Sequence, residues 1–137
     1  MSVVNGLHCL LQWVEERTWI SRIEIDDLAA LLEARDEDSF SSRWMQAEDS
    51  IASETARAEY EELVTKLRES VYLQAFDRWK SPDLSACLSD DFGLIANAIV
   101  VDSANPWISG LLQCYLKGRV PVGDLEEQAG KLVDLLP

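Results

Sequence analysis

The sequence predicts an all-α fold, and three observations carry that expectation. Apolar residues recur at three- and four-residue steps along nearly the whole chain. Ser, Asp or Asn stands ahead of most of these runs in a helix-capping position. No stretch alternates at period two, and no hairpin-turn signature separates two β-like runs. With 137 residues the chain suits one domain. The expectation is therefore a single all-helical domain over 1–137, with about six or seven helices around a long central one.

The first helix is expected over 3–17, where Val3, Leu7, Leu10, Leu11 and Val14 share a face. A second is expected over about 22–35, with Ser21 and Glu24 at capping-box spacing, Asp26 as a rival start, and Ile25, Leu28, Leu31 and Leu32 as its stripe. Asp36-Glu37-Asp38-Ser39 interrupts the pattern and caps a shorter helix near 39–49 that carries Phe40, Trp44 and Met45. The central helix is expected from Ser53 through about 54–79, roughly 39 Å long. Its stripe includes Tyr60, Leu63, Val64, Leu67, Val71, Tyr72, Ala75 and Phe76. Ser81-Pro82 starts a short helix, with Pro at the first position, where its missing N–H costs nothing. Ser89-Asp90-Asp91 reads as the cap of another helix near 90–101, and Asn105-Pro106 as the start of one that Gly118 ends. After the turn Val120-Pro121-Val122-Gly123, Asp124 opens a last helix to Leu136.

Charge divides the chain. Acidic residues number 25 against 12 basic ones, a net charge of −13. Residues 15–62 hold 15 acids and 5 bases, whereas 63–137 hold 10 and 7. Such a chain repels nucleic acid and anionic lipid, so neither is an expected partner. No apolar window approaches a membrane span, and the N-terminal residues lack a basic leader, so a cytoplasmic location is expected. Cys9, Cys87 and Cys114 are odd in number, far apart and set among apolar residues. They read as small hydrophobes suited to a reducing compartment.

Catalytic templates fare poorly. The single histidine, His8, adjoins Cys9 on a helix, where neighbours diverge by about 100° and form no dyad. Zinc motifs need more histidines or paired cysteines. A calcium loop starting at Asp36 would place Ser41 where Gly belongs and Ala47 where the bidentate Glu belongs. The paired acids Glu15-Glu16, Glu61-Glu62 and Glu126-Glu127 lack the third acid of a magnesium-holding EExxE pattern, and no phosphate-binding glycine loop exists. Asp90-Asp91 is the one acid pair in an apolar setting, read first as a helix cap, with a partner contact or chemistry as alternatives. The expectation is no enzyme, no cofactor and no metal.

Of the five tryptophans, Trp19 and Trp44 lie in the acidic half, where an aromatic ring rimmed by carboxylates suits protein binding. Glu33, Asp36, Glu37, Asp38, Glu48 and Asp49, with Trp44 as anchor, are the candidate contacts for a basic protein partner. In size and composition the chain resembles small acidic bacterial immunity proteins, a resemblance of kind resting on no motif. It implies an inhibitor of a basic, nuclease-like toxin. Two alternatives stay open: a nucleic-acid mimic that regulates a DNA-binding protein, and a helical ligand-binding module or small enzyme.

Overall fold

The computed structural model describes residues 2–52 and 59–137. They form α1 (Val3–Glu15), α2 (Thr18–Ser21), α3 (Leu28–Arg35), α4 (Asp38–Ala52), α5 (Glu61–Trp79), α6 (Pro82–Val100) and α7 (Pro106–Leu116), followed by a 3₁₀ turn at Leu132–Leu135. There is no strand among the described residues, and no described helix is long and apolar enough to cross a membrane. The all-helical expectation holds.

The frame is the hairpin of α5 and α6, two helices of 19 residues, each about 28 Å long. Lys80 ends α5 in the left-handed region at φ 54°, its N–H donating to the Phe76 carbonyl. Ser81 then caps α6 by accepting from the Leu84 N–H, with Pro82 at the first helical position. These two residues reverse the chain, so the helices pack along their length. α6 is the innermost element: 13 of its 19 residues are buried. α1 and α7 close over it, and Leu10, Val14, Leu88, Ile95, Ile108 and Leu112 are fully enclosed.

An aromatic cluster fills the centre. Arg17, at φ 66°, turns the chain sharply after α1 and sends Trp19 inward. Its indole lies 5.0 Å from the Phe92 ring centroid, and Phe92 lies 4.7 Å from Tyr115. The Trp19 N–H donates to the Val14 carbonyl and to Gln74 Oε1, while Gln74 Nε2 donates back to Val14. A buried amide thus satisfies a buried indole and a helix-end carbonyl together.

Three local expectations change. Ser21 and Asp26 do not start α3; Asp27 does, accepting from the Ala30 N–H. Ser21 ends the short α2 instead, and Arg78 grips the Ile20 and Ile23 carbonyls so that Ile23 enters the core. The expected break at Ser89-Asp90-Asp91 is absent, because α6 runs unbroken from Pro82 to Val100. Residues 119–131 are not helical. Gly130 sits at φ 98°, outside helical space, and the Gln128 N–H is drawn to the Pro106 carbonyl. The described part of the central helix begins at Glu61; its expected start at Ser53 lies outside the described residues.

Candidate functional site

The centre of interest is one carboxylate. α6 places Leu84, Leu88, Asp91 and Ile95 at four-, three- and four-residue steps, so Asp91 occupies a core position of an otherwise apolar stripe. It is 0% exposed, yet every side-chain oxygen is satisfied. Oδ1 accepts from Arg35 Nη2 at 2.8 Å and from Trp44 Nε1 at 3.0 Å; Oδ2 accepts from the Tyr115 hydroxyl at 2.6 Å. Arg35 Nη1 donates to the Pro121 carbonyl at 2.7 Å, and its guanidinium lies 4.5 Å from the Phe40 ring centroid. A single side chain of α6 therefore ties down α3, α4 and α7, and the Arg35 it holds fastens the turn after α7.

The electrostatics follow from burial. Desolvation, the largest single influence, pulls the Arg35 pKa down, but the Asp91 charge and hydrogen bond together with Tyr115 outweigh it and hold the guanidinium more firmly protonated than in water. Burial, reinforced by Asp91, pushes the Tyr115 phenol well above its ordinary range. Burial also raises Cys87, with Arg35 pulling the other way. Both oxygens of Asp91 are engaged by protein donors, and among the described residues no group of three His, Cys, Asp or Glu side chains could hold a metal ion.

Above the buried node is a hollow of about 180 Å³ at the junction of α3, α4 and α6. Arg35 and Asp91 form its floor, with Phe40, Trp44 and Cys87 beside them; Asp36, Ser41, Met45 and Asp90 complete the lining. Met45, which lines the hollow with Trp44, is 58% exposed. The hollow thus combines an apolar wall with exposed carboxylates at Asp36 and Asp90.

Of the residues expected to contact a partner, Asp36 and Trp44 meet at this hollow. Glu33, Glu37, Asp38 and Asp49 are exposed on the same two helices and their junction, outside the hollow, and Glu48 is half-buried. Trp44 is also half-buried, and its N–H is committed inward to Asp91, so only part of its ring faces out. Trp19, the other tryptophan of the acidic half, is wholly internal.

Asp91 does not cap a helix, as its sequence setting suggested; it organises the site. The signal was the four-three-four spacing that puts it in line with Leu84, Leu88 and Ile95. Met45 joins the site without a sequence signal of its own, whereas Asp90, singled out with Asp91 as an acid pair in an apolar setting, is brought there by the continuity of α6. With this geometry in hand, comparison with protein families matches residues 10–122 to the immunity protein PIM1 family. That span includes α3, α4, α5, α6, α7 and every residue of the hollow. No curated protein matches the chain.

Proposed function

The chain belongs to the immunity protein PIM1 family, and from that premise we propose that it binds and neutralises a basic, nuclease-like bacterial toxin in the cytoplasm. It acts as an inhibitor, not as an enzyme. The docking face is the outer side of α3 and α4 around the hollow. Glu33, Asp36, Glu37, Asp38 and Asp49 supply an acidic rim, with Glu48 at its edge. Trp44 and Met45 supply apolar contact.

The observation that supports this reading most strongly is the meeting at one hollow of Asp36, Trp44 and Met45, from the half of the chain that carries most of its negative charge, with Asp90 of α6. A toxin that acts on nucleic acid needs a basic cleft to hold phosphates. An acidic face opposite that cleft accelerates encounter and excludes the substrate by occupying the same charges. The apolar contacts, once desolvated, govern how long the complex lasts.

The test is association kinetics between the chain and its toxin at low and high salt. Replacing Asp36, Glu37 and Asp38 together by Lys is expected to slow association and flatten its salt dependence, with an unchanged circular dichroism spectrum. These three side chains are exposed, so the fold does not depend on burying them. An unchanged association rate with unchanged salt dependence removes this face from the reading.

A further inference from the structure

A second surface is continuous with the first. Asp90 lines the hollow described above, and its ion-pair partner, Arg68 of α5 at 2.6 Å, lines a neighbouring hollow of about 270 Å³ with Tyr72 and Glu69. Beyond it, α5 turns a run of apolar side chains to solvent. Leu73 is 66% exposed and Phe76 39%, and the Tyr72 ring lies nearly parallel to Phe76, at 4° with centroids 6.3 Å apart.

α5 is apolar on two faces. Val64, Leu67, Val71 and Ala75 are buried in the core. Leu73 and Phe76 lie on the far side, where one-sided helices carry polar residues, with the half-buried Tyr72 on the flank between the two faces. Two of the four large hydrophobic residues found exposed among the described residues are neighbours here. Clustered exposure of this kind marks a contact surface, unlike a lone exposed side chain.

The charges nearby say what fits. Three of the α5-side bases are already engaged: Arg68 with Asp90, Arg78 with the Ile20 and Ile23 carbonyls, and Lys80 with Asp77. Among the described residues, no ion pair involves Glu61, Glu62, Glu69 or the exposed Lys66 beside them, which leaves three acids against one base along this stretch of the helix. The matching surface is apolar at its centre and basic at its edge. A second copy of this chain, at −13, brings the wrong sign.

We propose that the outer face of α5 is the second half of the toxin-docking surface, with Tyr72, Leu73 and Phe76 as its apolar anchor. The partner crosses α6 at the Arg68–Asp90 ion pair and covers both hollows. This rests on the inhibitor reading above.

The probe is the toxin domain that co-purifies with the chain, identified by mass spectrometry and produced in an inactivated form. The variant is Leu73→Gln with Phe76→Gln, which removes apolar area while keeping charge and helix propensity. Dissociation is expected to accelerate by about tenfold or more, with association and its salt dependence changed by less than about twofold. An unchanged dissociation rate overturns the inference and leaves the α3–α4 face standing. A wild-type chain that binds no toxin overturns both. A wild-type dimer in sedimentation that the variant loses assigns the patch to self-association and overturns the inference. Should the variant fail to fold, hydrogen exchange of the wild-type complex decides: new protection across 69–76 supports the proposal, and none overturns it.

Discussion

Asp91→Ala is the most discriminating single change in this molecule. It removes a fully buried carboxylate that receives three hydrogen bonds and leaves Arg35, itself 7% exposed, as an uncompensated internal cation. Removing one partner of a buried ion pair costs about 3–5 kcal/mol. The Trp44 N–H and Tyr115 hydroxyl lose their acceptor as well, at about 1–3 kcal/mol for each that stays unsatisfied. The expected loss is therefore at the upper end, about 5 kcal/mol, against a total stability of about 5–15 kcal/mol for a domain of ordinary stability. Replacing both charges, Arg35→Met with Asp91→Leu, removes the stranded cation and is expected to cost less than Asp91→Ala alone. Urea denaturation at neutral pH, followed by far-ultraviolet circular dichroism, gives both numbers. The reasoning fails if Asp91→Ala lies within about 1 kcal/mol of wild type, or if the double variant is the less stable of the two.

Further expectations concern other parts of the fold. A Cβ added at Gly110 would lie 2.6 Å from the Glu126 carbonyl oxygen, so Gly110→Ala must displace backbone and should cost about 1–3 kcal/mol; an unchanged thermal midpoint contradicts the close approach. Gln74→Leu should cost about 1–2 kcal/mol, because it removes one acceptor of the Trp19 N–H and one donor to Val14; equal urea midpoints would show that bond set to be dispensable. Tyr115 holds its proton more tightly folded than unfolded, so its contribution is fully present below about pH 10, the unfolded value, and falls as the pH rises above it. Tyr115→Phe should consequently show a shallower alkaline loss of stability than wild type between about pH 9 and 11; parallel curves would refute this.

What the sequence made legible was local. Ser81-Pro82 and Asn105-Pro106 start helices where their chemistry says, and Gly118, at φ 75°, follows the end of α7. These signals act over three or four residues, so the neighbours that decide them are visible in the string. Asp91 was opaque for the opposite reason. Its partners Arg35, Trp44 and Tyr115 are 56, 47 and 24 positions away, and a short polar run before an apolar one imitates a cap. The segment after Gly123 carries helical periodicity in Leu125, Leu132 and Leu136, but Gly130 and tertiary attachments at Gln128 and Lys131 hold it as an irregular strap. For the candidate site, composition located the acidic half but could not say that Trp44 points partly inward or that Met45 points out.

The inward commitment of Arg35 and Trp44 has a consequence for change over time. On α3 and α4, Trp44 apart, the side chains that fasten the helices to the body are not those proposed to meet a toxin. Arg35, Phe40, Ala47 and Ile51 are buried, while Glu33, Glu37, Asp38, Met45 and Asp49 are exposed between them. Foldability and specificity are written in alternating letters of the same segment. Substitution of the outer letters leaves the Asp91 attachment intact, so such a face can be rewritten against an altered toxin without first finding a compensating change in the core.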